Sequence, residues 1–353
     1  MHRRQYLTSA GTGLALGVAG CTSSGPENTD ESEDIDEFDG TNESEDTNES
    51  EDTADPEGGD ADSDATTEEG ETPSSEAANA LENAGEQLNE AIDIMVEEID
   101  TAWAYYSTDA SISTGGIEVA LENANTSIEE ADAAATTDAQ RGRVEEFEIL
   151  TEFMSQLLDT AISLGEGLNQ VLTALSYEKN NRYEDAAEYY TNAKASFEAA
   201  NKRLDQAKTT FGEISEDMDT NVDYARSEDA QSELDELVSG YVLSTEADIP
   251  YAKGLADYTT GYDRFEEEDA RSEWAFEDAI EHFERAESLY RESERKVAQS
   301  FRDTFITQTC RTGKRIEMSE LMLEASESLN AEEYAEARRK EEQKNAISLE
   351  ECG

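Results

Sequence analysis

Along most of this chain, apolar positions recur at alternating steps of three and four. Phe147, Leu150, Met154, Leu157, Ala161, Leu164, Leu168, Val171 and Leu175 form one such series. Tyr183, Ala187, Tyr190, Ala193 or Lys194, Phe197, Ala200, Leu204, Ala207 and Phe211 form the next. At 3.6 residues per turn, each series becomes one apolar stripe down a helix, with the acids on the other face. Between the two lies Lys179-Asn180-Asn181-Arg182, a tight turn, so the helices are expected to pack antiparallel as a hairpin. Ala84, Leu88, Ala91, Met95, Ile99, Ala102 and Tyr106 predict an earlier helix, and Ile117 to Ala135 a less apolar one. Leu234, Leu237, Val238 and Tyr241 predict a short helix that stops before Ala247-Asp248-Ile249-Pro250. Pro250 then suits the first turn of a new helix striped by Tyr251, Leu255, Tyr258, Tyr262 and Phe265. Phe276, Ala279, Phe283, Ala286 and Tyr290 mark another. No strand-like alternation of useful length interrupts this, so the fold class is all-α. The 278 residues after Ser75 suffice for one or two helical domains, set here at 76–215 and 216–353.

Two segments share a finer pattern. Tyr183, Ala186, Tyr190 and Ala193 match Phe276, Ala279, Phe283 and Ala286 in type and spacing. A fainter third copy begins Tyr334-Ala335-Glu336-Ala337. The physical sense is packing: small alanines let helices approach, and the rings fill the spaces between. The pattern resembles the second helix of a tetratricopeptide repeat, and the first copy follows a helix and an Asn-rich turn, as in that family. Its two main copies lie 93 residues apart rather than the ~34 of a regular array. The resemblance therefore implies TPR-like antiparallel hairpins rather than a regular superhelix, with a generic helical bundle as the alternative.

Charge changes the picture. The chain carries 87 Asp+Glu against 26 Lys+Arg, a net charge of -61. Such a surface repels nucleic acid and anionic lipid, which excludes nucleic acid as a partner. Residues 22–75 hold 22 acids and no Lys or Arg, which leaves 65 acids and 24 bases for the helical part once the two arginines near the start are set aside. Repulsion on that scale opposes compaction in dilute salt, and it is screened at molar salt, where the Debye length is ~3 Å. With 9 lysines to 17 arginines, the composition resembles that of proteins from extremely halophilic archaea. Evolution toward cation binding is the alternative, but charge spread over every helix favours salt adaptation.

The first 75 residues read as an address and a tether. Arg3 and Arg4 precede an uncharged stretch from Leu7 to Gly20, too short to span a bilayer. Residues 1–20 fit a twin-arginine signal peptide. Gly17-Val18-Ala19-Gly20-Cys21 resembles a lipobox, which implies a lipidated Cys21 anchored on the outer face of the cytoplasmic membrane. Residues 21–75 are too polar to bury a core and are expected to form a disordered, self-repelling linker. Sequons at Asn42, Asn48 and Asn125 are candidate glycosylation sites on an exported chain.

Besides Cys21 there are only Cys310 and Cys352. An even pair on an exported protein is expected to be oxidised. If the last two helices turn near Leu329-Asn330-Ala331, facing positions sum to twice the turn, and 331 is the mean of 310 and 352. The two sulfurs are therefore expected level with each other and bonded.

Catalytic signals are sparse. His282 is the single histidine outside the signal segment, so no His-dependent triad is legible. Neither a phosphate-binding glycine loop nor Cys/His metal spacing is present. One loop has oxygen-bearing residues at EF-hand-like positions: Asp217, Asp219, Asn221, Asp223 and Glu228. It carries Val222 where such a loop needs glycine, and it is the candidate calcium site; no other cofactor is implied. The similar Asp60, Asp62, Asp64 and Glu71 set lies in the linker. Tyr251, Tyr258, Tyr262 and Phe265, with Trp274 nearby, form core or else line a groove that grips a peptide.

These features point to a surface lipoprotein that is not an enzyme and serves as a helical scaffold or adaptor for other envelope or membrane proteins. The alternative is a solute- or cation-binding lipoprotein that works with a transporter. The partner and the oligomeric state are not specified by the sequence.

Overall fold

A computed structural model describes residues 72–103, 111–214 and 220–352. The expected signal segment, Cys21, Asn42, Asn48, nearly all of the expected linker, Asp217 and Asp219 lie outside them. Residues 71–353 form one compact unit, and among the described residues there is helix and no strand. The helices are α1 (Ser75–Ala102), α2 (Gly115–Ala134), α3 (Asp138–Lys179), α4 (Tyr183–Phe211), α5 (Tyr224–Glu266), α6 (Ser272–Ser293), α7 (Gln299–Asn330) and α8 (Tyr334–Asn345), followed by a 3₁₀ turn at Glu350–Cys352.

Each helix packs against its successor, and the odd-numbered helices also touch one another: α1 with α3, α3 with α5, α5 with α7. Among the described residues, no pair of even-numbered helices meets. The result is two layers, odd helices inside and even helices outside. The inner layer curves enough for α1 to reach α5 as well. The stripes explain this order. Phe147, Leu150, Met154, Leu157, Ala161, Leu164, Leu168 and Val171 of α3 are buried, as are Ala187, Tyr190, Ala193, Phe197, Ala200, Leu204 and Ala207 of α4. A second set on α3, including Val144, Phe153 and Ala174, is also buried, because an inner helix has neighbours on more than one side.

Close approach relies on glycine as much as on alanine. A Cβ on Gly167 of α3 would lie 2.3 Å from the Phe197 ring of α4, and one on Gly240 of α5 would lie 2.3 Å from the Phe301 ring of α7. Rings continue the contact through the core. Phe197 stacks on Tyr241 at 4.9 Å, Tyr241 meets Phe301 edge-on at 5.5 Å, and Phe301 meets Trp103 at 5.3 Å. Four helices are thus joined by one aromatic chain.

The three hairpins α3–α4, α5–α6 and α7–α8 turn in the same way. Each has one non-glycine residue at positive φ: Asn181 (57°), Glu268 (53°) and Glu332 (62°). Each closes with the same backbone pair. Asn181 N–H donates to Glu178 C=O and Arg182 N–H to Tyr177 C=O; Glu268 and Asp269 repeat this on Phe265 and Arg264, and Glu332 and Glu333 on Leu329 and Ser328. This is a Schellman-type helix stop. The faint third copy at Tyr334 therefore follows the same turn as the copy at Tyr183, with Ala337 buried where Ala186 is buried.

One expectation is corrected. The chain does not break before Pro250: α5 runs unbroken for 43 residues with Pro250 inside it. An interior proline costs ~3 kcal/mol through its missing N–H and its clash with the preceding turn. Leu234, Leu237, Val238 and Tyr241 before it and Leu255 and Tyr258 after it are all buried. Each such side chain is worth ~1.5–3 kcal/mol, so packing of both halves outweighs the proline. The expected domain boundary at 215/216 falls between α4 and α5, which pack directly on each other.

Candidate functional site: a tyrosine-rich seam in the inner layer

A cluster of charged and tyrosine side chains lies within the array where the end of α3 and the start of α4 approach α5, α6 and α7. Asp248 of α5 is 2 % exposed. It accepts from the Tyr290 hydroxyl of α6, and its other oxygen takes the Ser244 hydroxyl at 3.3 Å. Glu178, in the last turn of α3, has its carboxyl pushed up to about 7, first by burial and then by the Asp248 charge, against the opposing pull of the Tyr190 hydroxyl and Arg315. Tyr251 sits between these acids and α7. Burial raises its phenol, while Arg315 and Arg311 draw it back down.

Arg311 and Arg315 lie one turn apart on α7, and among the described residues neither has a carboxylate within salt-bridge range. Beside them the Tyr258 hydroxyl and the Arg315 Nε are buried without a hydrogen-bond partner among the described residues. Tyr258 is pushed up to about 12, burial being the main cause. Further along, the Tyr262 hydroxyl donates to Glu341 Oε1 of α8 at 3.0 Å, and the Lys344 ammonium lies 4.5 Å from the centre of the Tyr262 ring. Burial lowers the pKa of Lys344.

The aromatic residues singled out in the sequence divide by position. Tyr258 is core, packed edge-on against Phe276 at 5.7 Å. Tyr251, Tyr262 and Phe265 are half-buried beside it. Trp274 stands 65 % exposed on α6. Glu178, Asp248, Arg311 and Arg315 were not read from the sequence. Their only signal there is the i, i+4 placement of two arginines on a helix of an otherwise acidic chain.

The candidate calcium loop is partly visible. Asp223 caps α5 by accepting from Arg226 N–H at 3.1 Å, and its own N–H donates to Asn89 Oδ1 of α1 at 2.8 Å. Asn221 donates through Nδ2 to Glu82 C=O at 3.2 Å and accepts at its backbone from Asn89 Nδ2 at 2.9 Å. Glu228 lies in the first turns of α5 and is exposed. These contacts dock the loop on α1 beside Gly85, where an added Cβ would collide with the Asn221 side chain. Among the described residues, no group of three or more His, Cys, Asp or Glu is placed to hold a metal ion.

Cys310 and Cys352 are joined by a disulfide with Cα atoms 5.6 Å apart. α8 ends at Asn345, and the remaining chain returns along α7 to bring Cys352 level with Cys310. Lys314 holds this return by donating to Ser348 C=O and pairing with Glu351 at 2.6 Å. His282 Nδ1 is 2.8 Å from Asp257 Oδ2, both roughly a third exposed. Asn125 is exposed midway along α2. Among the described residues, no helix is long and apolar enough to cross a membrane.

No protein-family model matches the chain, and no curated protein or solved structure matches it either.

Proposed function

We propose that this is a lipid-anchored protein of the outer membrane face of a halophilic archaeon, which serves as a non-enzymatic, TPR-like scaffold or adaptor for other envelope proteins. The observation that carries the reading is the two-layer stack of hairpins, three of which (α3–α4, α5–α6 and α7–α8) share one turn geometry. Such stacks present an extended inner surface along which a partner chain can lie. The half-buried Tyr262 and Phe265 at the edge of the seam supply rings of the kind that grip a polypeptide. The twin arginines, Cys21 and the acidic linker supply the address and the reach. Charge over every helix fits a medium of high salt.

Crosslinking of intact cells at native salt, followed by affinity capture of the tagged protein, tests this. One membrane or surface complex recovered at near-stoichiometric yield is expected. Recovery of self-crosslinks alone rejects the adaptor. A Cys21→Ser variant is expected to leave the membrane fraction, and retention there would reject the lipid anchor.

A further inference from the structure

At one end of the array the α5–α6 and α7–α8 turns leave an open groove of about 440 Å³, lined by Phe265, Glu266, Glu268, Leu329, Tyr334, Ala337, Arg338 and Glu341. Its lining includes three carboxylates and one guanidinium beside apolar groups. Tyr334 is 54 % exposed. With Trp274, it is one of the two large aromatic side chains that stand exposed among the described residues. Trp274 belongs to the same end: its neighbour Glu273 accepts from the Asn330 amide at 2.6 Å, and Asn330 adjoins Leu329 of the groove.

The chain's own side chains show which chemistry this wall holds. At its inner edge Lys344 places an ammonium 4.5 Å over the Tyr262 ring, while Tyr262 donates to Glu341 of the groove. Ring face and carboxylate together hold a cation there without a direct salt bridge. The groove repeats those elements, with Phe265 and Tyr334 as rings and Glu266 and Glu268 as carboxylates, and no cation of the chain other than Arg338 among its lining residues. The net charge of -61 favours a cationic occupant over an anionic one.

We propose that this groove docks a basic, arginine- or lysine-bearing segment of a partner protein, with a cation against Phe265 and Tyr334 and within reach of Glu266, Glu268 and Glu341. The proposal rests on the adaptor reading and names the chemistry of what the adaptor holds.

The test uses the full chain at ~1 M salt, where general attraction to an acidic surface is screened to ~3 Å. The probes are an acetylated, amidated peptide of alternating glycine and arginine, its glycine–glutamate twin, and tetramethylammonium. Saturable binding of the arginine peptide alone is expected by calorimetry. Tyr334→Ala and Glu266→Gln/Glu268→Gln should each weaken it by about threefold to thirtyfold, as loss of a cation–π or charge contact does. All three positions are exposed, so the fold is retained. Glu129→Gln/Glu130→Gln, exposed on distant α2, should change it by less than about twofold. Equal losses from the two charge variants would overturn the groove in favour of diffuse attraction. Saturation by tetramethylammonium as tight as by the peptide would overturn the partner-segment assignment in favour of a small organic cation. In cells, undiminished partner capture by Tyr334→Ala would reject the groove and leave the adaptor standing. Specific peptide binding without any captured partner would reject the adaptor and leave the groove.

Discussion

Tyr290 of α6 donates its hydroxyl to Asp248 of α5 two residues before Pro250, in a helix that continues past the proline. Both side chains are buried, at 1 % and 2 % exposure, so the bond has no water to replace it. Tyr290→Phe removes the donor and leaves the ring, which packs 6.1 Å from Phe305. An expected loss of ~1–3 kcal/mol follows from leaving a buried acceptor short of a donor. Chemical denaturation at fixed salt checks this, and an unchanged midpoint would mean that the bond contributes nothing net.

The raised carboxyl of Glu178 makes stability depend on pH with a definite sign. In the unfolded chain it titrates near 4.5, and in the folded chain at about 7. Between these values the folded state holds a proton that the unfolded state has lost. Stability from this group is therefore full below 4.5 and falls as pH rises through 7. Asp257 is raised as well, chiefly by burial, and adds the same sign. Melting temperature measured across pH 4.5–7.5 should fall more shallowly in Glu178→Gln than in the parent. An identical slope in both would show that Glu178 is not the group responsible.

Gly240 sets two preferences against each other. Alanine is favoured over glycine in a helix by ~1 kcal/mol. Here its methyl group would enter the Phe301 ring, whose atoms lie 2.3–2.6 Å from the ideal Cβ position. Overpacking typically costs ~1–3 kcal/mol, so Gly240→Ala is expected to destabilise on balance. Phe301→Leu in the same chain should recover part of the loss, and a double-mutant cycle gives the coupling. A more stable Gly240→Ala would show that α5 and α7 separate easily.

Glu332 occupies a left-handed position at 62°, at the C-terminal end of α7. Both features are unfavourable for glutamate: the Cβ is crowded there, and an anion opposes the helix dipole. Glu332→Gly is expected to stabilise by up to ~1 kcal/mol, less than the full backbone term because glycine also loosens the unfolded chain. Thermal unfolding at constant salt reads this directly.

Legibility followed the range of the interactions involved. The α3–α4 hairpin was readable because Asn180-Asn181 and two uninterrupted stripes act within a few residues of each other. The level of Cys310 and Cys352 was readable because a hairpin ties facing positions to its turn. Pro250 misled because its local rule is correct, yet the burial on either side of it comes from packing on the neighbouring helices α4 and α6, which a rule confined to one turn does not register. The EF-hand-like spacing around Asp223 is equally local, and the contacts that Asn221 and Asp223 make with α1 and at the cap of α5 were not legible in it.

By itself the sequence determined the all-helical class, the apolar faces and the general acidity, though not the continuity of α5 through Pro250, since periodicity and charge count are properties of neighbours along a chain. Tertiary structure alone decided that Glu178, Asp248, Tyr251, Tyr290 and Arg315 share one seam, and that Phe265, Glu268 and Tyr334 line one groove. Their meeting depends on how closely successive hairpins approach. That distance is set by which small residue faces which ring, as Gly167 faces Phe197 and Gly240 faces Phe301. Such complementarity is a relation between two surfaces, and neither stripe contains it alone.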